Sequence, residues 1–167
     1  MQPQSAVAAP ATANALPRVR LAVEADIEQV IDMGRQLHRE NGLMTLDDDL
    51  IRQVAEDAIL HDAGVFGVIG DPGHLEAMIL LELRKYWYSS DVHLEELLNY
   101  VLPKYRKSRN AIALIEFAKK QAVKLGIPLL IGILSNKNTE QKLKLYSRRL
   151  GPPAGGYFIF NGKTGSE

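Results

Sequence analysis

The sequence predicts an α/β domain with a mixed, mostly antiparallel β-sheet, a central parallel strand pair and flanking helices. Two observations support this prediction. Three apolar or alternating segments follow one another between residues 64 and 102 with only turn residues between them, as in consecutive antiparallel strands. A helical pattern over 111–125 then leads into the apolar run 129–134, which is typical of a strand parallel to its predecessor.

Composition restricts the class of protein. The 167 residues suffice for one domain with a buried core, and Lys+Arg and Asp+Glu both number 20. A domain that binds duplex nucleic acid usually carries a basic excess, so the zero net charge disfavours that role. The chain has no cysteine, which excludes disulfides and Cys-ligated metal and is compatible with a reducing cytoplasm. No apolar run is long enough to cross a bilayer. We therefore expect a cytoplasmic protein without a membrane or nucleic-acid partner.

A single folded domain is predicted over 17–162. Residues 1–16 are rich in Ala, Pro, Gln and Ser and show no amphipathic period, which indicates a disordered tail. Pro3 and Pro10 interrupt the continuous apolar core that a signal peptide would need. Residues 163–167 are predicted to form a flexible C-terminal tail.

The first elements are a strand and two helices. Residues 18–23 alternate polar and apolar, as a half-buried strand does. Apolar residues at helical spacing follow, with Asp26 placed to cap the helix and Gly42 to end it. A second helix is predicted over 46–61. The triplet 47–49 is all Asp and suits the positive end of that helix; because adjacent helical residues cannot face one ion, capping is favoured over metal binding.

Three antiparallel strands come next. Segments 64–69 and 74–88 flank the turn Asp71-Pro72-Gly73 and predict a β-hairpin. A turn at Ser89-Ser90-Asp91 precedes a further strand over 93–102.

A helix, a strand, a helix and a strand complete the chain. Gly126 and Pro128 end the helix that follows the third antiparallel strand, and the apolar run 129–134 is the predicted parallel strand. A last helix is predicted over 139–149 and a last strand over 157–160. The predicted order is β-α-α-β-β-β-α-β-α-β.

The turn 104–109 is the chain's most distinctive local feature, because it places four basic residues where a strand passes into a helix. A helix entered in this way presents unpaired N–H groups and partial positive charge, which together can bind an anion. Ser108 or Asn110 can cap the helix, and Ala111 lets a ligand approach its first turn. Basic side chains add positive charge there: Arg106, Lys107 and Arg109. The alternative is that these side chains are simply solvated. Neither standard glycine-rich phosphate motif is present.

Residues 101–106 (VLPKYR) resemble the V-x-P-x-Y-R pattern that precedes the acyl-CoA loop of Gcn5-related N-acetyltransferases. The family's loop, Gln/Arg-x-x-Gly-x-Gly/Ala, matches at Arg106 and Ala111, whereas Arg109 stands at the middle glycine. An Arg in the first helical turn needs no positive φ, so the fold tolerates it. The resemblance covers 18–160 and includes the element order.

The resemblance implies direct transfer of an acetyl group from acetyl-CoA to an amine. Backbone groups of 98–102 would pair with the pantetheine arm, and an N–H near Val101 would stabilise the oxyanion. The positions that match the cofactor-binding segments are Val101, Leu102, Arg106, Lys107, Ser108, Arg109, Asn110, Ala111 and Asn138. Tyr146 matches the family's general acid, which protonates the leaving thiolate; on periodicity alone it can equally be a core aromatic.

Two glutamates are candidates for the base. Glu95 and Glu96 lie on the strand before the loop, and since adjacent strand residues face opposite sides, only one can point into the cleft. Water chains could also remove the proton. The four histidines lack metal-ligand spacing, so no metal site is predicted.

The acceptor is left open by the sequence. Tyr86, Trp87 and Tyr88 either border an acceptor cleft or pack at a sheet edge. Small-molecule and peptide amines both fit the resemblance, which also makes a homodimer an assembly to expect. Two other functions are a non-catalytic acyl-CoA-binding module and a nucleic-acid contact through 104–109, the second disfavoured by the zero net charge.

Overall fold

The computed structural model describes residues 15–135 and 138–159. Its five-stranded sheet keeps the strands in chain order. The strands are β1 (Arg20–Leu21), β2 (Val65–Asp71), β3 (His74–Lys85), β4 (Val92–Val101) and β5 (Leu129–Leu130). Strands β1 to β4 pair antiparallel, and β5 pairs parallel with β4. The predicted fold class is confirmed, and the parallel pair lies at one edge of the described sheet.

The described residues contain four α-helices, of which the first three pack on the sheet. The helices are α1 (Ile27–Asn41), α2 (Asp48–Leu60), α3 (Asn110–Leu125) and α4 (Thr139–Leu150). On one face, buried residues of α1 and α2 pack with Val68, Met78 and Leu80. On the other face, α3 packs on Ile79 and Leu81. Burial of apolar surface on both faces is the main stabilising term, and it makes the middle of the sheet a rigid support for side chains at its edge. In the described ranges no helix is long and apolar enough to span a membrane.

Helix ends follow the sequence signals in two places. The Asp47 carboxylate accepts the Leu50 N–H at 3.0 Å, so the acidic triplet caps α2 as predicted. Within 15–135 and 138–159 no group of three His, Cys, Asp or Glu side chains could hold a metal ion. Gly126 ends α3 with φ 68°, a left-handed conformation that glycine adopts without strain.

Asp26 occupies the N-cap position of α1 as predicted, but its side chain does not cap the helix. Its carboxylate makes no cap bond to α1; it is fully buried and accepts both Arg20 guanidinium donors, at 2.7 and 2.8 Å, and the Val23 N–H at 2.8 Å. Burial opposes ionisation, but the hydrogen bonds from Arg20 and Val23 outweigh it and lower the pKa of Asp26. Asp26 therefore ties β1 to the turn before α1.

Two predicted strands are much shorter in the structure, and the last predicted strand is not found in its described part. The first covers Arg20–Leu21 rather than 18–23, and the fifth covers Leu129–Leu130 rather than 129–134. Residues 157–159 are not in a strand, and Phe160 lies outside the described residues. Most of the predicted tails and the end of the predicted domain fall on 1–14 and 161–167, and these residues also lie outside the described ones. A strand extends only as far as a partner offers backbone groups, and β5 finds partners only at Leu94 and Glu95.

Candidate active site

The C-terminal half of β4 has an open backbone edge. Beyond Glu95, β4 keeps β3 on one side, and no described strand pairs with it on the other. Antiparallel pairing alternates, and the Leu102 N–H donates to Glu76 O at 3.0 Å. The peptide groups of Asn99 and Val101, at the alternate positions, therefore point away from β3. This edge can pair with an extended ligand.

A β-bulge decides which side chains share a face of β4. Leu80 pairs with Leu98 but Leu81 pairs with Glu96, so Leu97 is an extra residue, and it is 47% exposed. One inserted residue reverses the alternation of side chains. Glu96 and Asn99 consequently lie on the same face although they are three residues apart.

Helix α4 brings Tyr146 to this face. The Asn99 side-chain amide donates to the Tyr146 hydroxyl at 3.3 Å, a long hydrogen bond. Burial, and then the negative charge of Glu96, raise the pKa of Tyr146, while the Asn99 bond acts weakly in the opposite direction. The hydroxyl therefore keeps its proton at neutral pH, as a proton donor must.

Glu96 is partly exposed as a residue, but one of its carboxyl oxygens is shielded from solvent. Its Oε2 atom has no hydrogen-bond partner within the described part of the chain. Burial raises the pKa of Glu96 to about 8, and the Lys142 ammonium only partly opposes this effect. A carboxyl with such a pKa exchanges its proton near physiological pH, which suits a general base.

Lys142 lies one helical turn before Tyr146 on α4. Its ammonium donates to Ser135 Oγ at 2.9 Å. Burial, and then the positive charge of Arg106, lower the pKa of Lys142, whereas Glu40 and Glu96 raise it less. The site thus contains a cation close to Glu96 and a neutral phenol, Tyr146.

Glu95 is placed on the opposite face of β4. It pairs with Glu82 in the sheet, and its carboxylate contacts His93 Nε2 at 3.3 Å. It lines a small cavity of about 300 Å³ together with Arg84 and Lys85. Of the two predicted glutamates, the structure therefore brings Glu96, and not Glu95, beside Tyr146. The catalytic roles of these three residues stay predictions.

The aromatic cluster lies far from the loop. Tyr86, Trp87 and Tyr88 form the turn between β3 and β4, where Tyr86 stacks on Tyr88 and against His93, with ring centroids 5.4 and 5.0 Å apart. The ten residues of β4 separate this turn from Val101, roughly 30 Å of extended chain. The cluster packs at one end of the sheet, while the loop lies at the other.

The basic loop joins β4 to the start of α3. The N-cap residue of α3 is Arg109, and neither Ser108 nor Asn110 as predicted; Ser108 Oγ nevertheless accepts the Asn110 N–H at 3.1 Å. Arg109 has φ −92°, so the side chain at the family's glycine position causes no backbone strain. The Asn110 side chain is buried and donates to Glu76 at 2.8 Å. By helix geometry, the N–H groups of Ala111 and Ile112 have no acceptor within α3.

Arg106 is directed away from the helix start. Its Nη2 contacts both Glu40 carboxylate oxygens, at 2.8 and 2.6 Å, and its Nε donates to Val101 O at 3.1 Å. Tyr100 also donates to Glu40, at 2.6 Å. Burial opposes ionisation of Glu40, but these hydrogen bonds outweigh it and lower its pKa. Lys107 and Arg109 are thus the exposed basic side chains nearest the helix start.

Asn138 starts α4 and lies apart from the loop in the chain. It has φ 59°, a left-handed conformation that Asn tolerates, and its carbonyl accepts the Lys142 N–H at 3.0 Å. Its predicted role in binding the cofactor stays a prediction.

Four residues of the site escaped the sequence prediction: Glu40, Asn99, Tyr100 and Lys142. Lys142 could have been found, because it precedes Tyr146 by four residues and so shares its helix face. Asn99 interrupts an apolar strand, which is a weaker signal. Glu40 lies 66 residues from Arg106 and carries no local signal.

Replacing Glu96 with Gln should stabilise the protein increasingly as pH rises. Between pH 4.5 and 8 the unfolded chain ionises Glu96 while the folded state keeps its proton, so folding stability is lost over that window. Glu96→Gln removes this titration. In urea unfolding at pH 5, 7 and 9, the free energy of unfolding of the variant should exceed that of the wild type by a difference that grows with pH and reaches about 4 kcal/mol at pH 9. A difference in unfolding free energy that is the same at all three pH values would contradict the buried state of Glu96.

Comparison with known proteins supports the architecture. No protein-family model and no curated protein matches the chain. Solved structures do match. A GCN5-related N-acetyltransferase from Ralstonia eutropha JMP134 is 20% identical, with a TM-score of 0.64 over 87% of this chain and 99% of that one. A "predicted acetyltransferase with acetyl-CoA" from Clostridium acetobutylicum is 14% identical, with a TM-score of 0.68 over 87% and 96%.

A third similar structure is an aminoglycoside antibiotic 6′-N-acetyltransferase from Acinetobacter haemolyticus. It is 16% identical, with a TM-score of 0.64 over 89% of this chain and 99% of that one. At such identities the agreement concerns the path of the backbone, which here extends over nearly the whole of each matched chain. The chain therefore has the fold of the GCN5-related N-acetyltransferases.

Proposed function

We propose that the protein is an N-acetyltransferase that transfers an acetyl group from acetyl-CoA to a primary amine by direct attack. The observation that carries the proposal is that Glu96 and Tyr146 lie on the same face of β4, close enough to interact electrostatically, beside its open edge. A carboxyl with a pKa of about 8 and a neutral phenol are the base and the acid that such a transfer needs. The shared fold supports this reading by analogy.

The residues of the loop and of the strand edge fit acetyl-CoA. The Asn99 peptide group and the Val101 N–H point away from β3 and can pair with an extended amide-containing arm, while the Val101 carbonyl already accepts from Arg106. The N–H groups of Ala111 and Ile112, with the exposed Lys107 nearby, suit a pyrophosphate. When bound, acetyl-CoA supplies the acetyl group activated as a thioester.

Two side chains divide the proton transfers. The Glu96 carboxylate accepts the proton that the attacking amine must lose, and the Tyr146 hydroxyl donates a proton to the departing sulfur. Proton balance is kept, because one proton enters at Glu96 and one leaves from Tyr146. Glu96 must be ionised when the amine binds, so we expect activity to rise with pH through about 8.

Acetyl-CoA should raise the melting temperature of the protein. A ligand that binds only the folded state at 100 times its Kd adds about 2.7 kcal/mol, which corresponds to roughly 5–10 °C for a domain of this size. Ala111→Glu places a bulky carboxylate at the first turn of α3 and should abolish the shift. Differential scanning fluorimetry measures both proteins.

Val123→Glu is the matched control for that variant. Val123 is also on α3 but is 81% exposed and near its other end, so the variant should keep the full shift. A wild-type melting curve that millimolar acetyl-CoA leaves unmoved would refute the assignment of the cosubstrate.

A non-catalytic acyl-CoA-binding module is the second candidate function. Arg109 favours it, because a side chain stands where the resembling family keeps backbone bare. This candidate requires the thermal shift without any acetylated amine, whereas the enzyme produces both. Mass spectrometry of an acetyl-CoA incubation with a panel of amines separates the two functions.

A further inference from the structure

Lys142 is a primary amine within the site, and the proposed transfer does not use it. It lies one helical turn before Tyr146 on α4, so the two side chains share a helix face, with their Cβ atoms roughly 5–6 Å apart. Its ammonium donates to Ser135 Oγ at 2.9 Å, and its charge interacts with the carboxyl of Glu96. The fold therefore places an amine of the chain itself beside the candidate base and the candidate acid.

The other described lysines lack this placement. Lys119 is partly buried, as Lys142 is, but it forms an ion pair with Glu116 at 3.3 Å. The remaining ones are exposed: Lys85, Lys104, Lys107, Lys120, Lys124 and Lys144. Lys144 is the useful comparison, because it lies on α4 two residues from Lys142, and residues two apart do not share a helix face.

The groups that face Lys142 favour its neutral form and provide a base. Burial, and then the positive charge of Arg106, lower the pKa of Lys142, whereas Glu40 and Glu96 raise it less. A lower pKa leaves more of the neutral amine, which is the form that attacks a thioester. Glu40 already accepts hydrogen bonds from Arg106 and Tyr100. Glu96 Oε2 has no hydrogen-bond partner in the described ranges, so Glu96 is the carboxyl that can take a proton from the amine.

We propose that the protein acetylates its own Lys142 when acetyl-CoA is bound and no acceptor amine occupies the site. This inference rests on the proposed function. The bond between the acetyl carbon and Lys142 Nζ forms, and the bond between that carbon and the CoA sulfur breaks. The ammonium loses two protons as it becomes an amide. One replaces the proton that Tyr146 gives to the sulfur, and the other passes through Glu96 to water.

Acetylation of Lys142 should slow transfer to other amines. The positive charge of Lys142 partly opposes the effect of burial on Glu96, and the amide has no such charge. The pKa of Glu96 therefore rises further, and a smaller fraction of the carboxyl is ionised at neutral pH. The added acetyl group also takes up space next to Tyr146. The modification thus acts as self-inhibition that develops when acetyl-CoA is present without an acceptor.

The test incubates the full chain with acetyl-CoA and no amine, and follows the masses of the intact protein and of its peptides. We expect a gain of one acetyl group at Lys142. The rate should be independent of protein concentration, because the amine and the site belong to one chain. Lys142 should react faster than the exposed Lys144 in the same sample by about tenfold or more. In urea, which unfolds the site, this preference should disappear.

Four variants separate catalysed from spontaneous acetylation. Lys142→Arg keeps the positive charge but has no primary amine, so it should gain no acetyl group at this position. Lys144→Arg is its matched control and should be acetylated at Lys142 as the wild type is. Glu96→Gln and Tyr146→Phe keep the amine and should slow its acetylation about tenfold or more.

A turnover measurement after preincubation with acetyl-CoA tests the self-inhibition. Each protein is compared with its own untreated sample on an acceptor from the amine panel. The wild type and Lys144→Arg should lose turnover in proportion to the acetylated fraction, and Lys142→Arg should lose none. Equal losses in Lys142→Arg and the wild type would overturn the inhibitory effect.

The outcomes for the inference and for the proposed function are distinct. Acetylation of free amines without acetylation of Lys142 would overturn the inference and leave the proposed function standing. Equal acetylation of Lys142 and Lys144, a rate proportional to protein concentration, or a rate that Glu96→Gln and Tyr146→Phe leave unchanged would also overturn the inference. Acetylation of Lys142 that depends on Glu96, without acetylation of any free amine, would support the inference and overturn the free amine as acceptor. Acetylation of neither would overturn both.

Discussion

Replacing Tyr146 with Phe should lower turnover by about 10²–10⁴-fold, the usual contribution of a general acid. The variant removes one oxygen and keeps the ring in place. Within 15–135 and 138–159, the one hydrogen bond to the wild-type Tyr146 hydroxyl is the long one from Asn99, so the melting temperature should change little. CoA affinity should also stay close to that of the wild type. Steady-state kinetics, calorimetry with CoA and a melting curve measure the three quantities.

A packing role for Tyr146 predicts the opposite pattern. The variant Tyr146→Ala, which removes the ring, serves as the comparison, because it should destabilise the protein as well as slow turnover. If Tyr146→Phe keeps more than about half of the wild-type turnover on a genuine acceptor, Tyr146 is not the general acid.

Replacing Glu96 with Gln should lower kcat/KM by about 10²–10⁴-fold at pH 8 and remove its rise with pH. The Glu96 carboxyl has a pKa of about 8, so in the wild type only about a tenth of the molecules have it ionised at pH 7. Wild-type kcat/KM should therefore increase up to about pH 8 and then level off. A pH series with a saturating concentration of acetyl-CoA measures this profile.

Glu95→Gln is the matched control for the base. It makes the same chemical change one residue away, on the face of β4 that is turned from Tyr146. It should keep both the rate and the pH profile. Equal losses in the two variants, or a Glu96→Gln enzyme with the wild-type pH profile, would exclude Glu96 as the base.

Local signals were enough for most of the architecture. The helices began and ended close to the predicted residues, because caps such as Asp47 and Gly126 act through neighbouring backbone groups. The predicted hairpin joins β2 to β3, but its turn is Pro72-Gly73 alone, because Asp71 belongs to β2 and pairs with His74. Asp26 shows the limit of such signals, since its carboxylate pairs with Arg20 instead of capping α1.

The sequence by itself determined the order of the elements up to the last described helix, the position of the basic loop at the start of α3 and the presence of Tyr146 on that helix. These depend on periodicity and on contacts within a few residues. Only the tertiary structure decided between Glu95 and Glu96, because the bulge at Leu97 appears only when β4 pairs with β3. It also decided the direction of Arg106, since Glu40 approaches from a helix 66 residues earlier. Burial of Glu96 requires α4 and β4 together, so its raised pKa belongs to the fold and not to any local segment.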